Sequence, residues 1–409
     1  RSSAASDVYK RQSMRRAVIV DLVRSPFIRA RSDSVVAGLH PVDLYAQTLS
    51  ALIERTGVDP ALIEDVITGC VLQVGEQSGN IGRQAVLAAG FPESVPAVTL
   101  DRKCGSGQQA IDFAAQGIVA GAYDVVIAGG VEMMSLLPMR ANRIGRDSEG
   151  PLFRQRYPQG LVRQGISAEL IAARWQVSRN DMDKFALRSH RLAAKAEDDG
   201  LTQKTIVPIR VQKDQHSHIV DRDNGIRRDT DAQRLATLQP SFQDEQMAQR
   251  FPEIEWSVTA GNSSQLTDGA GAVLLMEEGT ALRLGLTPRA AVTHFAVVGD
   301  DPLVMLTGVI PATRRLLARA GLSIDDIDAF EVNEAFGSVV LAWLKETGAT
   351  LDRCNILGGA IALGHPVGAS GVRLMANLVN ALEVKSGRYG LQTMCESGGL
   401  ANATLIERL

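Results

Sequence analysis

The chain contains a version of itself. LYAQTLSALIERTGVDPALIEDVITGCV starts at Leu44, and PATRRLLARAGLSIDDIDAFEVNEAF starts at Pro311. Each reads as an amphipathic helix stopped by glycine, then a short Asp-rich turn, then a buried strand. AYDVVIAGGVE (Ala122–Glu132) and RYGLQTMCESGG (Arg388–Gly399) form a second pair, each a strand running into glycines. Between these pairs stand VTLDRKCGSGQQAIDFAAQGIVAG in the first half and NILGGAIALGHPVGASGVRLMANLVNAL in the second. Both read as strand, small-residue turn and helix. Two α/β halves offset by roughly 265 residues predict a duplicated fold. Its site should lie where equivalent strand-to-helix turns converge, because ligands of α/β sheets favour such crevices.

The halves are unequal. Residues 14–135 form the first, and 258–284, reached through SVTAGNSSQLTDGAGAVLLMEE (257–278), returns to it with a closing strand. Residues 136–257, rich in Arg, Gln and Asp, read as an inserted domain with helical stretches SAELIAARWQ and DKFALRSHRLAAKA. Residues 285–409 form the second half. Residues 1–13, RSSAASDVYKRQS, are polar and aperiodic ahead of Met14, and read as a leader foreign to the fold. A net charge of −3 suggests no nucleic-acid partner, and no apolar run approaches the roughly 18 residues of a membrane helix.

Cysteine carries the candidate chemistry. The four cysteines form no CxxC pair, which favours free thiols in a reducing cytoplasm. Cys104, in DRKCGSGQQAIDFAAQ, stands where a strand gives way to a helix. A helix N-terminus lowers a thiol pKa, so Cys104 is a candidate nucleophile; the alternative is a small buried Cys in a strand–helix contact. His365, in the rigid turn ALGHPVGASG, could take its proton, or could be a structural turn residue. Cys395 ends a strand in the equivalent turn of the other half; it could carry a proton to or from carbon, with a disulfide as the competing reading. Asn333, in FEVNEAFGSVV, is either a helix N-cap or an amide that positions a water or an oxyanion. Cys70 and Cys354 lack such turns and read as structural. His216 and His218, in KDQHSHIVDRDNG, read as part of a solvated loop, and no metal site is expected.

Taken in order, CGSGQQA, GGVEMMS, VTAGNSSQLTDGAGA, NEAFGSVV, NILGGAIALGHPVGASG and CESGGLANATLIERL resemble the thiolase family, over about Arg16–Leu409. The resemblance implies a five-layered αβαβα fold with a loop domain, assembled as homodimers or homotetramers. It implies that Cys104 attacks the keto carbonyl of a 3-oxoacyl-CoA and keeps the shortened acyl group as a thioester. His365 would activate Cys104, and Cys395 would protonate the departing acetyl-CoA or propionyl-CoA carbanion. Asn333 would hold a water that stabilises the enolate with His365. The N–H groups of Cys104 and Ser397 would form a second oxyanion hole. CoA is implied as substrate rather than cofactor, bound by Arg227 (with Arg228 able to exchange roles), Ser264, Met305 and Phe336.

Three departures bear on the acyl group. Gln164 stands where many thiolases carry a Met against short acyl chains. Ser397 replaces a usual glycine, which costs strain if that backbone needs positive φ. TGV stands in DPLVMLTGVIPA where a GxGP-like run is common. GCVLQVGEQSGNIGR and CGSGQQA look closer to degradative thiolases of bulky acyl-CoAs, including the steroid side-chain type. The competing functions are a biosynthetic acetyl-CoA acetyltransferase and a catalytically silent CoA-binding protein.

Overall fold

The computed structural model describes residues 15–213 and 216–409, so the leader expected at 1–13 lies outside the described residues. The strands are β1 (Ala17–Arg24), β2 (Ile28–Arg29), β3 (Asp65–Gly69), β4 (Ala97–Leu100), β5 (Val125–Met133), β6 (Ile209–Lys213), β7 (His216–Val220), β8 (Thr267–Glu277), β9 (Ala290–Gly299), β10 (Ala329–Val332), β11 (Tyr389–Glu396) and β12 (Leu400–Arg408). The helices are α1 (Pro41–Thr56), α2 (Ile81–Ala88), α3 (Ser106–Ala120), α4 (Gly150–Arg156), α5 (Gln164–Arg174), α6 (Arg179–Asp198), α7 (Ala232–Ala236), α8 (Glu245–Arg250), α9 (Glu278–Arg283), α10 (Val309–Ala320), α11 (Gly337–Thr347), α12 (Ala360–Leu363) and α13 (Ser370–Lys385).

The repeat is visible in the sheet. Its order is β10-β11-β12-β9-β1-β8-β5-β3-β4. From one edge, β4-β3-β5-β8-β1 run parallel, parallel, antiparallel, antiparallel. From the other edge, β10-β11-β12-β9 repeat the last three of those relations. The halves join through a short β1–β9 contact, Val18 opposite Ala291 and Ile19 opposite Ala290. As the repeat predicts, α1 stops at Gly57 (φ 67°) and α10 at Gly321 (φ 66°), both left-handed.

One expected strand is missing. NILGG should match β4, yet the second half has only an isolated bridge there, Phe330 to Cys354. The Asn355 side chain takes the place of the ladder. Its Oδ1 accepts from the Val332 N–H at 2.9 Å and its Nδ2 donates to the Val332 carbonyl at 2.8 Å, while its own backbone turns left-handed. An amide side chain offers the same donor and acceptor as a peptide unit, so β10 stays paired while the chain leaves the sheet.

Helices α3 and α13 form the central layer. They pack on each other and on strands of both halves, and Ser370–Leu382 of α13 are all buried. A helix buried all round needs apolar or small residues on every face. Helices α1 and α2 cover the outer face of the first half, and α10 covers that of the second. The result is αβαβα.

Helices α4–α8 and the β6–β7 hairpin fall between β5 and β8. The hairpin corrects the solvated-loop expectation for KDQHSHIVDRDNG. Ile209 and Val211 alternate inward, and the Gln47 amide brackets the Arg210 backbone at 2.8 and 3.1 Å. Among the described residues, no helix is long and apolar enough to cross a membrane, and no His/Cys/Asp/Glu group could hold a metal.

Candidate active site

The two repeated turns meet at the helix starts. A Cβ on Gly107 of α3 would lie 2.8 Å from the Gly368 carbonyl, and one on Gly371 of α13 would collide with the Gln108 backbone. Only glycine permits this backbone-to-backbone approach. It brings the His365 turn onto the Cys104 turn. Cys104 then shares an apolar cluster with Val71, Met134, Val367, Leu374 and Met394. Cys395, beside Met394 on β11, is fully buried and close enough to Cys104 for the two charges to interact. All four cysteines are free thiols.

His365 has a defined proton arrangement. Its Nδ1 lies 2.6 Å from Ser370 Oγ, and that hydroxyl donates to the Pro366 carbonyl at 2.9 Å. A hydroxyl has one proton, so Nδ1 must carry the proton of the first contact. Nε2 is then left with its lone pair, and the Asn333 amide nitrogen approaches it at 3.4 Å. Burial, then the Arg373 charge, lowers the His365 pKa to about 3, so the ring is neutral at neutral pH. Asn333 follows β10, and its Oδ1 is buried without a partner. The N-cap of α11 is Phe336, so Asn333 is not the helix cap.

The thiol corrects the dipole expectation. Gly105 is the N-cap of α3, so Cys104 precedes the helix and is only 7% exposed. Burial, then the nearby Glu396 carboxyl, pushes its pKa up to about 12. The N–H groups of Cys104 and Ser397 face the sulfur and pull the other way, but burial dominates. The Cys395 thiol is also pushed up, by burial first and then by Cys104 and Glu396. Ser397 does not have positive φ; the left-handed positions are Gly398 and Gly399. The strain alternative therefore falls away.

The four residues expected at CoA fall into two groups. Met305 and Phe336 share one buried cluster, and the Phe336 ring meets Phe242 edge-on at 5.9 Å. Phe242 lies over Gly165 at the start of α5, beside Gln164. Met305 holds φ 60°, an uncommon backbone state for an unbranched residue. The Ser264 N–H donates to the Ala335 carbonyl at 2.9 Å, and its neighbour Gln265 accepts from the His365 N–H at 3.0 Å. Arg227 stands apart, in a surface cavity of about 500 Å³ with His190, Lys195, Arg228 and Thr230. Arg228 is ion-paired with Glu197 and Asp198. Arg227 has no ion pair among the described residues; burial, then Arg29 and Arg234, lowers its pKa. An unneutralised arginine group suits an anion.

Sequence reasoning missed four supporting residues. Ser370 orients His365. Glu132 accepts from the N–H groups of Val71 (2.9 Å), Leu72 (3.2 Å) and Gly368 (3.1 Å) and from Gln77 Nε2 (2.7 Å). Glu334 accepts from Ser189 Oγ (2.6 Å), Asn355 Nδ2 (3.0 Å) and the Ile361 N–H (3.1 Å). Glu396 is buried beside both thiols. The available signal was an acidic residue inside an otherwise apolar strand end, as in GGVEMM and FEVNEAF.

Comparison with known proteins gives concordant matches. Residues 17–279 match the N-terminal domain of thiolase, and residues 286–408 match its C-terminal domain. The steroid 3-ketoacyl-CoA thiolase FadA6 of Mycobacterium tuberculosis is 44% identical over 97% of this chain and 95% of its own length. The 3-ketoacyl-CoA thiolase of Bacillus subtilis is 39% identical over 96% of this chain and 100% of its own. The crystal structure of the Bacillus anthracis acetyl-CoA acetyltransferase superposes with a TM-score of 0.87 at 35% identity, covering 97% of this chain and 99% of that one.

Proposed function

This chain belongs to the thiolase family, and from that premise we propose how its own residues carry out the reaction. It is an acetyl-CoA C-acyltransferase that cleaves 3-oxoacyl-CoA by thiolysis in a degradative role. Cys104 is the nucleophile. Its thiol rests protonated and passes its proton to Nε2 of the neutral His365 as sulfur attacks the keto carbon. The C2–C3 bond breaks with its electron pair moving onto the thioester fragment. Cys395 protonates that carbanion, releasing acetyl-CoA or propionyl-CoA and leaving the shortened acyl group on Cys104. A second CoA thiol then attacks, giving its proton to the Cys395 thiolate, and Cys104 leaves to recover its own from His365.

The observation that carries this reading is the Asn333–His365–Ser370 chain, which leaves Nε2 unprotonated, with its lone pair in the turn packed against Cys104. The unpartnered Asn333 Oδ1 supports its role in holding a water near the enolate. The inward-facing N–H groups of Cys104 and Ser397 support an oxyanion hole for the thioester. Arg227 takes a CoA phosphate, while Ser264, Met305 and Phe336 line the path to Cys104; CoA is the substrate, with no further cofactor. The loop domain is 136–257, inserted between 14–135 and 258–284 of the first half, with 285–409 as the second. The exposed edge strand β4, with Val98 44% exposed, supports a homodimer or homotetramer, and we place the enzyme in the cytoplasm.

The acyl group is a bulky one of steroid side-chain type, supported by the FadA6 relative and by Gln164 in place of Met. Thiolysis of acetoacetyl-, long-chain and steroid-side-chain 3-oxoacyl-CoAs tests this. The bulky substrate should have the highest kcat/KM; preference for acetoacetyl-CoA would favour the biosynthetic reading instead. Cys104→Ala should lose about a thousandfold or more of the activity. Undiminished turnover would exclude acyl-Cys104.

A further inference from the structure

Glu396 has no role in the steps above, yet it is buried within charge-interaction range of both thiols. It follows Cys395 on β11 and has no solvent exposure. Its carboxyl presses on the α-carbon of Gly105, the residue after Cys104, so that any Cβ at 105 would collide with Glu396 Oε1. The Asn402 amide closes the same space and donates to the Gly105 carbonyl at 3.1 Å. Neither Glu396 oxygen has a hydrogen-bond partner. An ionised carboxylate without a donor is costly to bury, whereas a protonated one is much cheaper.

We propose that Glu396 is a positioning residue for Cys104: a neutral carboxylic acid that supports the nucleophile's turn and, once ionised, holds back formation of the thiolate. This rests on the reading of Cys104 as nucleophile. The charged and titratable groups facing Glu396 are Asp101, Arg102 and Cys104 in the β4–α3 turn, Asp112 on α3, and Cys395 on its own strand. Arg102 favours ionisation, while Asp112, Asp101 and burial oppose it. Burial is the largest effect, and the Glu396 pKa is pushed up to about 9. That lies below the value for Cys104, so on raising the pH the carboxyl ionises first and the thiol then loses its proton against a new negative charge.

The test is the pH dependence of Cys104 alkylation by iodoacetamide, with the label located by mass spectrometry, in the wild type, Glu396→Gln and Glu396→Met. The wild-type rate should rise with pH and bend downward above about pH 9, the ionisation range of a carboxyl shifted this far. Both variants should keep rising. Their advantage over wild type should grow to about tenfold near pH 10, the equivalent of one pKa unit. The basic limb of kcat/KM should move upward in the same variants. A side chain that only fills space would not move either profile. Parallel alkylation profiles with the label on Cys104 would overturn this proposal alone. A label absent from Cys104 in the wild type would overturn the nucleophile assignment and this proposal with it.

Discussion

Ser370 lies five residues beyond His365 and fixes which ring nitrogen carries the proton. Ser370→Ala removes the acceptor for Nδ1–H and frees the ring to take the other tautomer. Thiolysis should fall by about 10- to 100-fold in kcat with little change in KM, because the defect lies in proton transfer rather than binding. Unchanged kcat would mean that the imidazole is oriented by Asn333 and packing alone. Ser397 makes the opposite case. Since its φ is not positive, restoring the usual glycine relieves nothing and adds freedom to the unfolded chain. Ser397→Gly should lower stability by about 0.5–1 kcal/mol in urea unfolding; a gain in stability would reveal strain at that residue.

At the scale of elements, the site depends on two helix starts pressed together and on buried carboxyls that hold the adjoining turns. Glu132 is the penultimate residue of β5 in the first half but accepts the Gly368 N–H from the His365 turn of the second. It is thus a direct tie between the repeats. Glu132→Gln keeps the shape but replaces one acceptor with a donor facing N–H groups. The expected cost is about 2–3 kcal/mol of stability, together with reduced kcat through a displaced His365. Equilibrium unfolding alongside steady-state thiolysis would check both; full stability in the variant would mean that the carboxyl does not bear on the turn. Legibility also differed between elements. The helices and strands of the repeat follow from periodicity and glycine stops. The false strand at NILGG did not, because a local apolar run cannot reveal that the Asn355 side chain will pair with β10 instead.

The whole molecule carries a pH signature set by its buried groups. His365 and His190 have folded pKa values lowered to about 3 and about 4, chiefly by burial. Below about pH 6.5 the unfolded chain binds protons that these folded rings refuse, so this contribution to stability is lost as pH falls. Asp112, Glu331 and Glu396 are shifted the other way, to about 8, about 8 and about 9, again chiefly by burial. Above about pH 4 the unfolded chain releases protons that the folded protein keeps, so stability declines as pH rises towards those values. Between about pH 6.5 and 8.5 these raised carboxyls act without the histidines. The urea midpoint should therefore fall across that range, and Glu396→Gln should flatten the fall. An identical slope in the variant would mean that Glu396 is already ionised in the native protein.

The sequence alone determined the duplication, the αβαβα expectation and the order in which Cys104, Asn333, His365 and Cys395 occur. The duplication and the residue order rest on local periodicity, on glycine at fixed turns and on residue type, all of which are written along the chain; the αβαβα expectation rests on the resemblance of its motifs to the thiolase family. Tertiary structure decided the rest. A thiol beside a helix start looks acidic in one dimension, but burial against the second half raises its pKa, since desolvation depends on what packs there. Ser370 has no distinctive local motif, and Glu132 and Glu396 show only as acidic residues at apolar strand ends; they become consequential only because folding places them within reach of residues that are distant in sequence or pointed into the same dry space. Hydrogen bonding and dielectric environment are properties of the packed molecule, and no window of sequence contains them.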